Sequence, residues 1–292
     1  MARLRIQPHG RLQEWVAHEE GYFRDEGLEY DFAFVAPDER SKDAARPVLT
    51  GAYELYAEGR GSKGTNACDV SSACHWAVNQ ASANQLGRMW GRAYSVTSAG
   101  IYVPPESEIR HPRDLAFVPV GVGFHSGSHF ATLQSLEVFL PTSQIELAFI
   151  GRPMARLDAA LERKVEAASA WGLAQYVLEQ RGFRRILDTT FIVGFLFPAE
   201  VADDDIEKFM NALGRAQMAI DVRPELHKHH YLKELPERFH GSVDVRLFGP
   251  GERIVFLSYT QEMYERTGAW MRERGLFDME SPRAPYSESV RV

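Results

Sequence analysis

The chain has 292 residues, 45% of them hydrophobic, enough to bury either one large α/β core or two smaller ones. Its 40 acidic and 33 basic side chains leave a net charge of −7, and no basic run is interleaved with aromatic residues, so nothing points to a nucleic-acid surface. No stretch of 18 apolar residues argues for membrane insertion, and two cysteines, Cys68 and Cys74, are too few for a disulfide framework and match no common metal-site spacing.

Leu4–Gln7 reads as a first strand, followed by the turn Pro8-His9-Gly10 and a helix with Leu12, Trp15 and Val16 on one side. No apolar signal core precedes that strand, so a cytoplasmic location is expected, or a periplasmic one if an export leader has been removed. A strand over Tyr30–Val35 leads into a polar loop at Pro37–Asp43, a short helix at Pro47–Glu58 and a glycine-rich loop at Gly59–Gly64. Cys68–Gln80 then passes from a strand end through serines into a helix. Arg92–Val103 is strand-rich and apolar, and Pro104-Pro105-Glu106-Ser107-Glu108 has a linker's composition, where the chain is expected to change lobes.

Val118–Leu140 is the stretch that organises the rest: a buried strand, a glycine and serine turn, and a helix with Phe130, Leu133, Leu136 and Phe139 at three-residue spacing and Ser126 or Ser128 as N-cap. Further strands are expected at Ile145–Ile150 and Val165–Trp171, with a helix carrying Met154, Leu157, Ala160 and Leu161 between them, and Ile186–Phe197 as a return crossing. Strands alternating with helices argue for parallel βαβ units. A long helix opens on Asp203, and a final one runs from near Thr260 to Gly275.

The chemistry suggested by these residues is anion binding. Free backbone N–H groups at the start of the helix after Phe124, the hydroxyls of Ser126 and Ser128, the bare backbone of Gly127 and the imidazoles of His125 and His129 make a seat for a carboxylate, sulfonate or sulfinate. The bland alternative is a βα turn that needs glycine for its shape. Neither the Walker lysine pattern nor the dinucleotide glycine pattern is present, and no cofactor is expected. Cys74, at a helix start, is a candidate nucleophile or acid of lowered pKa with His9, His75, His125 or His129 as partner; the alternative is a small buried residue. No third ligand accompanies His125 and His129, so no metal is expected there. His227, His229 and His230 read as a solvated helix face, and Arg11, Arg88 and Arg92 as surface arginines or carboxylate clamps.

The ordered set Trp15–Leu28, Asp69–Ser72, Gly121–Phe130 and Leu157–Trp171 resembles the type II periplasmic-binding-protein-like family of nitrate, taurine and alkanesulfonate receptors and thiamine-pyrimidine-synthase-like proteins, over about the first two-thirds of the chain. The resemblance implies an α/β fold of two lobes, residues 1–100 with 192–292 and residues 101–191, closing on one small anionic organic ligand in the cleft. Carried over residue by residue, it implies ligand contacts from His9, Gly10, Arg11, Ser71, Ser72, His125, Ser126, Gly127, Ser128 and Trp171, with Cys74, His75 and His129 as candidate catalytic groups. It also implies two uses of the cleft. One is a cofactor-independent enzyme of the decarboxylase or desulfinase kind, a lyase or hydrolase, whose relatives include an aromatic sulfinate desulfinase and a dihydroxyphthalate decarboxylase. The other is a solute receptor working with an ABC permease, or a ligand sensor. The cysteine-rich iron-binding run of the pyrimidine synthase is missing. A homodimer is left open.

Overall fold

In the computed structural model, residues 3–32, 68–276 and 283–292 are described; the loop and helix expected between Pro37 and Gly64 lie outside them. The strands are β1 (Leu4–Ile6), β2 (Tyr30–Phe32), β3 (Ser71–Cys74), β4 (Arg88–Trp90), β5 (Tyr94–Thr97), β6 (Ala99–Val103), β7 (Val120–Val122), β8 (Leu147–Phe149), β9 (Ala167–Trp171), β10 (Arg184–Asp188), β11 (Phe191–Phe197), β12 (Arg253–Val255) and β13 (Val290–Arg291). The helices are α1 (Leu12–Glu19), α2 (Tyr22–Asp25), α3 (His75–Ala83), α4 (Gly127–Leu136), α5 (Pro153–Leu161), α6 (Gly172–Gln180), α7 (Asp203–Val222), α8 (Tyr231–Glu234), α9 (Gln261–Glu273) and α10 (Tyr286–Ser289).

Two larger sheets result. One has the order β10-β6-β9-β7-β8, in which β7 runs parallel to β8 and β9 and the reversed strand is β6, antiparallel to both its neighbours β9 and β10. The other has the order β12-β5-β11-β4-β13, with β3 also paired to β11. Its central β11, Phe-Ile-Val-Gly-Phe-Leu-Phe, is apolar on both faces because helices cover both. A Cβ on Gly194 would meet the terminal methyl of Met89 at 2.8 Å and Val78 Cγ1 at 3.2 Å, so these side chains would have to move for any larger residue. β1 and β2 pair in parallel as a separate ribbon, tied to the second sheet's approach by the Arg5 N–H donating to Asp69 at 2.8 Å. The chain crosses between sheets at Ser98, between β5 and β6, and again at Thr189–Thr190, between β10 and β11.

The expected strand over Tyr30–Val35 is observed at Tyr30–Phe32, its remaining residues 33–35 lying outside the described ones, and the crossing expected at Arg92–Val103 is a pair of strands with a break at Ser98. Of the apolar row on α4, Phe130 and Leu136 are buried while Leu133 and Phe139 are half-buried; the helix stops at Leu136, so the spacing that includes Phe139 overran it. The last helix behaves as its sequence predicts: the Thr260 hydroxyl accepts from the Met263 N–H at 3.2 Å, and Gly275 follows it at φ +60°.

One charge network holds the first turn to the six-stranded sheet. Gly10, at φ +76°, turns the chain after β1 and delivers Arg11 to the start of α1. Arg11 is 1% exposed, its guanidinium forking onto Glu14 and Glu252 and donating to Ser72 Oγ at 3.1 Å and Ser95 Oγ at 3.2 Å. Burial works to lower its pKa, but the two carboxylates win and hold it above its ordinary value. Removing the cation strands two buried carboxylates, so Arg11→Met should cost about 3–5 kcal/mol of stability, read as a fall in the urea midpoint, with only partial recovery in Arg11→Lys, which lacks the planar fork.

Candidate functional site

Two pairs of the residues singled out in the sequence come together in the structure, Cys74 with Gly127 and His9 with Trp171. The turn after β7 is built on Gly123, where a Cβ would lie 2.8 Å from the Gly151 carbonyl oxygen, 3.0 Å from Ser126 Oγ and 3.1 Å from Arg156 Nη1. Ser126 is the N-cap of α4 by position, but its hydroxyl does not cap the helix. It donates to the Gly123 carbonyl at 2.7 Å and pairs with Ser128 Oγ at 2.7 Å, while Ser128 Oγ accepts from the Gly123 N–H at 2.9 Å. The serines therefore brace the turn, and no side chain neutralises the start of α4.

The end of β3 packs directly against this helix start. A Cβ on Gly127 would meet the Phe191 ring at 2.6 Å and Cys74 Cβ at 3.1 Å, so only glycine lets the two approach. His125 holds a positive φ of 47°, unusual for a residue other than glycine, and its N–H donates to His129 Nδ1 at 3.2 Å. The two imidazoles stack at 5.9 Å, and Phe124 stacks on His125 at 4.0 Å. At the other end of the cleft, the His9 and Trp171 rings stack at 5.9 Å and 22°, joining the loop after β1 to the end of β9. The Cβ position of Gly10 is 3.6 Å from Glu234 Oε2.

Burial decides the protonation of these groups. It pushes the Cys74 thiol up to about 12, against hydrogen bonds from the backbone of Ala77 and Trp76, so the lowered pKa expected of a helix-start cysteine is not found and Cys74 is a thiol, not a thiolate. Burial also pushes His75, His125 and His129 down to about 4, leaving all three neutral near pH 7. His75 Nδ1 lies 3.1 Å from the Ile192 carbonyl, which turns it toward β11.

Arg11 is a correction. Expected at the surface or facing a ligand, it is fully buried with its donors committed to Glu14, Glu252, Ser72 and Ser95, so it has nothing to offer an external anion. Ser72 is bound into the same network, and Ser71 Oγ is buried with no hydrogen-bond partner among the described residues. Arg92 is the exposed arginine expected, paired with Glu207.

Sequence reasoning missed Arg156. It is 2% exposed, and no carboxylate pairs with it among the described residues. Its Nε donates to the Ser169 carbonyl at 2.9 Å, Nη1 to the Gly151 carbonyl at 2.5 Å, and Nη2 to nothing among the described residues. Burial alone lowers its pKa, to about 9, so it is still a cation at neutral pH. It sits behind the Ser126 turn, close to Gly123 and Gly151, and Ser169 Oγ also lacks a hydrogen-bond partner among the described residues. The one signal in the sequence was an arginine on the apolar side of a helix next to Leu157 and Ala160, which the reading treated as a stripe of Met, Leu and Ala alone.

The fold is α/β and two-lobed, the type II periplasmic-binding-protein-like fold. The alkanesulfonate-binding protein SsuA from Xanthomonas axonopodis pv. citri, bound to MOPS, superposes with a TM-score of 0.71 over 100% of this chain and 98% of its own, at 17% identity. The periplasmic aliphatic sulphonate binding protein SsuA from Escherichia coli gives 0.71 over 99% and 97%, also at 17% identity. A variant of the desulfurization enzyme DSZB in complex with biphenyl-2-sulfinic acid gives 0.62 over 98% and 95% at 13% identity. No family model matches the sequence, and no curated protein matches it either.

Three neutral imidazoles, His129 buried and His75 and His125 half-buried, have a consequence for pH. Each has a folded pKa near 4 against an unfolded value near 6.5, so the unfolded chain binds more protons between these limits and stability falls as pH drops through that window. Urea midpoints should decline from pH 7 to pH 4.5, and His129→Asn should flatten the slope; a midpoint independent of pH would contradict the assignment.

Proposed function

We propose that the protein binds a small anionic organic molecule in the cleft between two lobes, residues 1–100 with 192–292 and residues 101–191, and that the ligand's acid group is a sulfonate, sulfinate or carboxylate. The observation that carries the reading is Arg156, a buried cation with an open Nη2 and no carboxylate among the described residues, behind a helix start that no side chain caps. An uncompensated buried charge is costly, and an anion at this point would relieve the cost while accepting from the guanidinium, the helix N–H groups and Ser169 Oγ. His9 and Trp171 supply flat apolar surface at the other end of the cleft for the organic part. MOPS, bound to the Xanthomonas SsuA, and biphenyl-2-sulfinic acid, bound to the DSZB variant, share this chemistry.

A receptor needs no more than this, and the two sulfonate-binding neighbours support that use, in which an ABC permease would be the partner. A specific observation favours a second reading, a cofactor-independent lyase or hydrolase: Cys74 stands against Gly127, where the acid group would sit, and burial keeps its proton on. In that reading the bond from carbon to the carboxylate or sulfinate breaks, the electron pair stays on carbon and takes a proton from the thiol, and carbon dioxide leaves, or sulfite after water adds to the sulfur. Cys74 would be regenerated from solvent through His129 or His75.

Titration calorimetry with a panel of alkane and aryl sulfonates, sulfinates and carboxylates tests the binding. Arg156→Met should weaken the best ligand roughly tenfold to a hundredfold, the worth of a charge-assisted hydrogen bond, while the melting temperature stays near that of the parent. Equal affinity in parent and variant would overturn the site. Release of sulfite or carbon dioxide, lost in Cys74→Ser with affinity retained, would decide for the enzyme; intact ligand recovered after long incubation would decide for the receptor.

A further inference from the structure

A second cluster lies away from the cleft, where the C-terminal end of α1 meets the turns that follow α7. We propose that Glu19, His229 and His230 form a binding site for a divalent transition-metal ion of the zinc class. One ligand atom from each of the three lies within 4.8 Å of the other two. His230 is 3% exposed, and its Nδ1 has no hydrogen-bond partner among the described residues. The atom it faces is Glu19 Oε2, 3.8 Å away, too far for a hydrogen bond. A buried ring nitrogen without a partner calls for an explanation, and an ion bound at about 2.0–2.2 Å to both atoms supplies one.

The neighbours orient these ligands. His229 Nδ1 lies 2.9 Å from the Leu226 carbonyl, which places the proton on Nδ1 and leaves Nε2 as the ligand atom; metal-bound histidines are commonly held in this way. Lys233 pairs with Glu19 Oε1 and lies over the Trp15 ring at 4.7 Å, fixing the carboxylate so that Oε2 is turned to His230. The His227 ring stacks on His230 at 6.4 Å and completes the wall. The solvated histidine face expected from sequence is therefore divided: His229 is exposed, and His227 and His230 are buried. Two imidazole nitrogens and one carboxylate oxygen suit zinc, copper or nickel and not magnesium or calcium, and three protein ligands leave the fourth position to water. None of these residues belongs to the proposed anion site, so the two readings stand or fall separately.

The test is titration of tag-free, chelator-treated protein with zinc chloride by calorimetry, with melting curves alongside. All ten histidines lie among the described residues, so competing imidazole sites are known. The parent should bind one equivalent and melt at a higher temperature with zinc. Exposed His229→Ala and Glu19→Gln, both expected to fold, should each weaken binding by about tenfold or more and lose the thermal shift. Absence of binding in the parent would overturn the site, as would affinity unchanged in both variants.

Discussion

The buried fork of Arg11 is the constraint on which the first half of the cleft depends. One guanidinium, reached through a left-handed glycine, fastens the loop after β1 to β3 through Ser72, to β5 through Ser95 and to the chain before β12 through Glu252. These segments are far apart in sequence, and all are placed by the same cation. His9, one residue before Gly10, is positioned against Trp171 as a result. Such a network contributes little net stability compared with apolar packing, but it admits few alternatives, because any rearrangement leaves a charge unpaired in the interior.

Arg156 is the opposite case on the facing side. Arg11 has two carboxylates and is electrostatically overfilled; Arg156 has two carbonyl oxygens and no counter-charge among the described residues. The same residue type thus serves as a structural rivet beside the six-stranded sheet and, beside the five-stranded one, as a cation with no counter-charge among the described residues. Burial fraction does not separate the two roles, since both are almost wholly buried. The difference lies in the partners, and an arginine held only by neutral acceptors still has its charge to offer.

Much of this was legible in the sequence because it is local. Period and punctuation gave β7, the turn after it and α4, and the cap at Thr260 and the glycine at Gly275 gave the last helix. The strand ends and helix starts that carry Cys74, Gly127 and Trp171 were legible through the order of motifs, and the structure brings Cys74 against Gly127 and His9 against Trp171. What stayed hidden was set by long-range contact. Glu252 reaches Arg11 across 241 residues, which turned a reading of surface arginine into a core ion pair, and Cys74 lost its expected low pKa to packing by α4 and β11. Arg156 was hidden by its helix, where one charged residue in an apolar row looks like a solvated neighbour until the sheet beneath it is known.

The chain between α7 and α9 bears on how the cleft can move. Gln180 at the end of α6 exchanges hydrogen bonds with the backbone of Asp244 at 2.8 and 2.9 Å, and the Tyr176 hydroxyl accepts from the Gly251 N–H at 3.0 Å. Two covalent crossings, at Ser98 and Thr189–Thr190, would by themselves leave a hinge. This strap adds a third attachment, made of bonds that are lost together if α6 swings away from residues 244–251. Any displacement that keeps these bonds must carry residues 244–251 along with α6, so the strap belongs mechanically to that helix although it follows β11 in the chain.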